Sequence, residues 1–341
     1  MQKKLIALAV AGLVAAPAAM AQSNVTIYGV VDAYFGYSKT GSAKKTVVNG
    51  GGLSGSRIGF RGTEDLGNGL KAVFTLEYAL ANDVNEGIGT GGLRARQQFV
   101  GLQGGFGTVS LGRQYAPGFG VFKFDAAMGA SPFSPQSILS VQNGMTITPN
   151  SPARWNNSIN WKSANMSGFT AQVIYGLGEM NELTDRRTGD KFGLNLDYTN
   201  GPLAVGVIYH HGEKTVLGED QKEWLLGATY DFGAAKVYAS YQQDKVDSYK
   251  GKLWNIGVSA PVGGAGSVFL AYADYNNNVD SDTEATSWAL GYTHSLSKRT
   301  TVYAAYSQVR NESLRAIQVN TTQGGLGDNN HNYVLGLRHV F

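Results

Sequence analysis

Arg57 and Arg61 stand four residues apart with Ile58 and Phe60 between them, and Arg154 is followed directly by Trp155. In an extended strand, residues two or four apart share a face, so Arg57 and Arg61 point together and Arg154 points away from Trp155. Guanidinium groups gathered on one face stay charged at ordinary pH and break no bond; their chemistry is to attract and orient anions. Asp32 and Glu77 fall in the polar phase of their own runs and supply negative charge to set against that face. The ingredients of bond-making chemistry are missing. With no Cys among the 341 residues there is no thiolate nucleophile, thiolate metal site or disulfide. His210, His211, His294, His331 and His339 show no metal-binding spacing, and the adjacent pair points to opposite faces of a strand end. Asp280-Ser281-Asp282-Thr283-Glu284 resembles part of a calcium loop but lacks its glycine spacing. Nucleophile-elbow, Walker and dinucleotide fingerprints are absent. No metal, no cofactor and no enzyme activity is therefore expected.

The elements that would hold such a charged face are strands. Val25, Ile27, Val31, Ala33 and Phe35 alternate with Thr26, Tyr28, Asp32 and Tyr34; Phe192, Leu194, Leu196 and Tyr198 alternate with Gly193, Asn195 and Asp197. Trp155, Ile159 and Trp161 alternate with Arg154, Asn156, Ser158, Asn160 and Lys162. The period is two, and no segment sustains a helical period. About 16 such runs, each long enough to cross a bilayer when tilted, divide residues 22–341. Short links at 65–69, 104–105, 165–168, 199–202, 231–234, 261–266 and 297–299 alternate with longer polar ones. The longer links fall at 39–53, 82–92, 114–152, 178–189, 211–222, 243–251, 276–283 and 310–330. An up-and-down antiparallel barrel sorts its connections this way, short on one rim and long on the other; a Greek-key sandwich has no reason to. Pro117, Pro132, Pro135, Pro149 and Pro152 cluster in 114–152, Pro202 and Pro261 sit at short turns, and no proline interrupts a strand interior.

Met1-Gln2-Lys3-Lys4, an apolar run from Leu5 to Ala16, Pro17 and the small-residue site Ala19-Met20-Ala21 read as a secretory signal peptide, residues 1–21. Lys3 and Lys4 are two of the 28 basic side chains, so 26 remain against 25 acidic ones. The exported chain thus has no net basic field for nucleic acid. Beyond Ala21 no stretch of 18 apolar residues exists, which excludes a helical membrane protein. Arg154, Asn156, Ser158, Asn160 and Lys162 from one strand are too many polar groups for a dry core. The apolar face ends in aromatics beside turns, at Trp161, Tyr198, Tyr230, Phe232 and Tyr292, as expected where strands meet lipid headgroups. The polar face then encloses water and the apolar face meets outer-membrane lipid, in a closed barrel without unpaired backbone.

Several blocks carry a family resemblance: Val25-Thr26-Ile27-Tyr28-Gly29, Ser56-Arg57-Ile58-Gly59-Phe60-Arg61-Gly62-Thr63-Glu64-Asp65-Leu66-Gly67 and Phe99-Val100-Gly101-Leu102. Arg154-Trp155-Asn156-Asn157-Ser158-Ile159, Leu296-Ser297-Lys298-Arg299-Thr300 and the terminal Gly336-Leu337-Arg338-His339-Val340-Phe341 continue it. In this order, and over essentially the whole of 22–341, the chain resembles the trimeric general porins of Gram-negative bacteria, in particular their betaproteobacterial branch. The resemblance implies an all-β transmembrane antiparallel barrel of 16 strands, a homotrimer, and a third loop, 114–152, folded into the lumen as a constriction. Phe119, Val121, Phe122, Phe124, Phe133, Ile138 and Leu139 in that loop favour packing against a wall over exposure to water. An arginine ladder on the facing wall is implied too, matched by Arg57, Arg96 and Arg154, with Arg61 one inward step from Arg57. Asp125 is the only acid of Phe124–Gln136, and Glu77 and Asp32 are the other negative candidates, so a net positive constriction is expected. The terminal Phe341 is similar to the signal read by the barrel-assembly machinery. The implied function is passive diffusion of small hydrophilic solutes and ions through an outer-membrane channel, with anion preference. A substrate-specific channel and an adhesin on the same scaffold stay open as alternatives.

Overall fold

The computed structural model describes residues 24–84, 94–127, 131–178, 187–215, 218–320 and 324–341; the signal segment 1–21 lies outside them. Its strands are β1 (Asn24–Thr40), β2 (Ala43–Gly50), β3 (Arg57–Gly67), β4 (Leu70–Ala79), β5 (Arg94–Gly104) and β6 (Gly107–Tyr115). They continue as β7 (Arg154–Lys162), β8 (Phe169–Gly176), β9 (Lys191–Asn200), β10 (Leu203–Gly212), β11 (Gln221–Asp231) and β12 (Lys236–Val246). The last are β13 (Tyr249–Val262), β14 (Gly266–Asn277), β15 (Ala285–Ser295), β16 (Thr300–Asn311) and β17 (Asn330–Val340). All ladders are antiparallel, and β17 returns to β1 from Val30↔Val340 to Thr40↔Asn330, so the sheet closes. β2 pairs with the Ala33–Thr40 half of β1 and β3 with the Asn24–Val30 half, so the two share one slot and the barrel has 16 staves. Beyond β17 the chain end still pairs: Gly29 and Phe341 exchange backbone hydrogen bonds at 3.0 and 3.1 Å.

Two of the expected long links are tight turns instead. Segment 39–53 contains the turn between β1 and β2 and then the whole of β2, and segment 243–251 shrinks to Asp247 and Ser248. Gly41, at φ 56°, and Asp247, at φ 51°, take the left-handed conformations that two-residue hairpin turns require. Polar composition marks both segments as loops, but a ladder accepts polar side chains on both faces once the strands have left hydrocarbon. The interruption of that slot lies at residues 51–56, between β2 and β3.

Burial follows the parity expected of a barrel in lipid. In β11, Trp224 and Leu226 are 37% and 52% exposed, while Glu223 and Leu225 beside them are fully buried. Trp161, Tyr198, Tyr230 and Tyr292 lie on outward positions near the short-turn rim, and Phe232 is exposed just beyond β11. A second aromatic row, absent from the sequence reading, circles the opposite end. It runs through Tyr175, Phe192, Tyr209, Trp224, Tyr241, Trp254, Tyr272, Trp288, Tyr306, Tyr333 and Tyr37, registered directly or diagonally across successive strands from β8 round to β1. From Tyr175 in the other direction the registered partners are Ile159, Leu111, Val100 and Phe74.

The described parts of 114–152 take their form from their own sequence. A 3-10 stretch, Pro117–Phe124, is followed by helix α1 (Pro135–Gln142), which opens on Pro135 and is capped where the Ser134 hydroxyl accepts the Ser137 N–H at 3.1 Å. Both pieces lie on inward residues of the wall. Val121, Phe124 and Ile147 pack with Ile208 and Leu225; Ile138, Leu139 and Met145 pack with Leu253, Ala273 and Tyr275.

Trp155 departs from the expected phase. The β6–β7 register shifts between Gly112 and Gln114, and Asn157 takes φ 48°. That irregularity turns Trp155 inward, 2% exposed against Ala116 and Ile174, whereas Ile159 and Trp161 keep the outward phase. A one-residue irregularity is enough, because side-chain parity has a period of two.

Candidate functional site

Near the inserted segment, Arg57, Arg96, Arg154 and Arg338 line one space of about 640 Å³ together with Glu77, Tyr115, Phe119 and Phe122. Each arginine arrives by a different device. Arg57 opens β3, and its Nη1 donates to the Gly55 carbonyl at 2.8 Å. Arg96 owes its direction to a bulge: Glu77 pairs with Gln97 and Tyr78 with Ala95, leaving Arg96 as the extra residue, buried on the inner side. Arg154 opens β7, and its guanidinium lies 5.8 Å from the Tyr115 ring centroid and 5.5 Å from that of Phe119. Its Nε is buried without a hydrogen-bond partner. Arg338 comes from β17 and donates to the Ser54 hydroxyl at 3.1 Å.

Glu77 organises these groups. Its carboxylate, 4% exposed residue by residue, accepts Arg96 Nε at 2.8 Å, the Tyr115 hydroxyl at 2.6 Å and the Tyr28 hydroxyl at 3.1 Å, with Arg57 Nε at 3.6 Å. A charge so fully engaged acts as a brace for the arginines. It leaves four guanidinium groups against one carboxylate around the space.

The other negative candidates are placed elsewhere. Asp32 is buried on β1, where its carboxylate accepts the N–H groups of Gly52, Leu53 and Ser54 at 3.1, 2.8 and 2.8 Å and the Tyr303 hydroxyl at 2.6 Å. It therefore ties down the 51–56 interruption. A side chain at Gly52 would collide with the Tyr303 hydroxyl, so this close wrapping needs glycine. Asp125 is buried inside the inserted segment, accepting the Ser134 hydroxyl and the Ala127 N–H, and burial pushes its carboxyl up to about 7. Arg61 lies outside the space; it is exposed, with its guanidinium 5.2 Å from the centroid of the Tyr28 ring. The sequence candidates Arg57, Arg96, Arg154 and Glu77 are thus brought together, whereas Arg61, Asp32 and Asp125 are not.

Arg338 and Tyr115 escaped the sequence reading as site residues. Arg338 was legible by phase, since it alternates with the exposed Leu335 and Leu337; Tyr115 gave no signal beyond ending its strand. His210 also escaped it. The Gly118 N–H donates to its Nε2 at 2.9 Å, which leaves the ring proton on Nδ1 to donate to Thr146 Oγ1 at 2.8 Å. Thr146 Oγ1 donates in turn to Glu223 at 2.7 Å, so a strand histidine and a strand carboxylate anchor the segment. Phe341 lies at the closing seam, its ring filling the space a side chain at Gly29 would need. Asp280 and Glu284 accept the N–H groups of Asp282 and Asn277, and among the described residues no three His, Asp or Glu side chains gather as a metal site.

Comparison with known proteins places this geometry among channels. The Gram-negative porin family model matches residues 7–314. Outer membrane porin protein 32 of Delftia acidovorans is 36% identical over the full length of both chains. The solved anion-selective porin from Comamonas acidovorans is 31% identical, superposes with a TM-score of 0.80, and is covered completely by 94% of this chain. OmpT of Vibrio cholerae in its trimer form shares the fold at 16% identity, with a TM-score of 0.66 over 94% of this chain and 99% of that one.

Proposed function

Because the chain belongs to the Gram-negative porin family, we propose that its arginine-lined space is the constriction of a water-filled diffusion channel that prefers anions. The protein is an outer-membrane porin, not an enzyme. The observation that carries the anion preference is the lining, in which four guanidinium groups face one carboxylate that already accepts Arg96 and two tyrosine hydroxyls. Fixed positive charge around a narrow opening with low-dielectric walls raises the local concentration of anions and lowers that of cations. The inserted segment 114–152 narrows the lumen by bringing Phe119 and Phe122 to the same space. That a 31%-identical relative is described as anion-selective supports the same preference here.

Zero-current potential across a planar bilayer under a salt gradient tests this reading. Anion preference is expected, and neutralising Arg57, Arg96 and Arg154 together should bring the potential most of the way to that of an unselective pore. Arg61→Gln should leave it nearly unchanged, because that side chain lies outside the space. Cation selectivity in the unsubstituted protein, or a triple variant that behaves like it, overturns the assignment.

A homotrimer belongs to the same proposal. A barrel surrounded by lipid needs interfacial aromatics all round, yet the outer aromatic row gives way to Ile159, Leu111 and Val100 on β7, β6 and β5. An aliphatic sector of this kind suits contact with another protein wall, and the trimer form known for OmpT of Vibrio cholerae agrees with it. The place of Phe341 at the closing seam supports a role as the signal for the barrel-assembly machinery.

A further inference from the structure

We propose that the constriction is a recognition site for aromatic carboxylates, an inference that rests on the anion-preferring reading above and names a solute class within it. Of the apolar side chains in the inserted segment, Val121, Phe124, Phe133, Ile138 and Leu139 are buried against the wall. Phe122 is not: it is 39% exposed, and it lines the arginine space together with the half-buried Phe119. Wall packing explains the first five and leaves these two without a structural reason to face water.

Their arrangement is that of a stacking surface. Tyr115 and Phe119 are stacked at 3.9 Å between centroids and 11° between planes, and Phe119 meets Phe122 edge to face at 6.1 Å and 73°. The three rings form one continuous apolar strip, with Phe122 as its exposed end. Beside it stands the Arg154 guanidinium, 5.5 Å from the Phe119 centroid. Arg57 and Arg338 line the same space. A planar ring carrying one carboxylate meets both demands at once: the ring covers the exposed face or edge of Phe122, and the carboxylate accepts from a guanidinium. A saturated ring with the same charge offers similar bulk but no π-face, and an inorganic anion offers only the charge.

Single-channel recording with benzoate or cyclohexanecarboxylate added to a chloride electrolyte tests this. Benzoate is expected to interrupt the chloride current at about three- to tenfold lower concentration than cyclohexanecarboxylate. Phe119→Leu combined with Phe122→Leu should erase that difference, benzoate and cyclohexanecarboxylate then interrupting the chloride current at equal concentration. Equal potency of the two acids overturns the inference, as does discrimination that survives the double substitution. The comparison in the unsubstituted protein decides the matter even where the double variant forms no channels. A cation-selective zero-current potential in the unsubstituted protein would instead remove the anion reading beneath it.

Discussion

Glu77 shows how little the sign of a side chain says about its role. By phase it belongs inside the barrel, where a carboxylate would be expected to oppose the arginines and weaken anion preference. In the structure it is the acceptor on which Arg96, Tyr115 and Tyr28 converge, so its charge is already matched. Glu77→Gln is expected to do two things. Removing one partner of a buried ion pair should lower barrel stability by about 3 kcal/mol, seen as a lower temperature for loss of the folded form in detergent. Removing a negative charge should also shift the zero-current potential further toward chloride. Lost stability with no change in potential would mean that the Glu77 field does not reach the path of the ions. Asp32 resembles Glu77 in the sequence but holds a backbone segment, and only the register of β1 against the 51–56 interruption separates the two roles.

The inserted segment is held by buried polar contacts as well as by its apolar side chains. The chain from Gly118 through His210 and Thr146 to Glu223 pins one part of it, and Asp125 with Ser134 closes another. Burial raises the Asp125 carboxyl to about 7, so the folded segment binds that proton more tightly than an unfolded one does. Its contribution to docking is therefore complete below the ordinary carboxylate range and is lost as pH rises through about 7. Proteolytic nicking within 114–152 should accelerate between acidic and mildly alkaline pH. Asp125→Asn should flatten that dependence, and an equally steep profile in the variant would assign the effect to another group. Elements also decide side-chain direction here: the bulge in β5 delivers Arg96 to the inside and the irregularity in β7 delivers Trp155.

At the scale of the whole molecule, the aromatic row opposite the short-turn rim spans one sector of the outer wall and gives way in another to Ile159, Leu111 and Val100. Val100 in β5 and Leu226 in β11 are comparably exposed, at 59% and 52%, but fall in different sectors. Leu226→Arg should leave the assembly state intact while lowering barrel stability by about 2–4 kcal/mol, because it places a charge in hydrocarbon. Val100→Arg should instead release folded monomers, measured by native electrophoresis or light scattering in detergent. Trimers that persist in Val100→Arg and fall apart in Leu226→Arg would place the subunit contact on the opposite wall.

Much of this was written in the chain without reference to three dimensions. Alternation of period two, the sorting of short and long links and the apolar-outside pattern determine a closed barrel, because each follows from local geometry and from the solvent on either side of a strand. The presence of Arg57 and Glu77 on the inner face follows from the same parity. Tertiary structure alone decided which charges meet. Parity carries information only while the register is unbroken, and bulges at Arg96 and beside Trp155 reset it without a mark in composition. The polar residues of 43–50, 243–246 and 249–251 stay in ladders because a strand outside hydrocarbon accepts polar side chains on either face. Whether a carboxylate opposes an arginine, caps a backbone turn or lies sealed in a loop depends on what closure of the barrel brings beside it, and that juxtaposition joins residues as far apart as Asp32 and Tyr303.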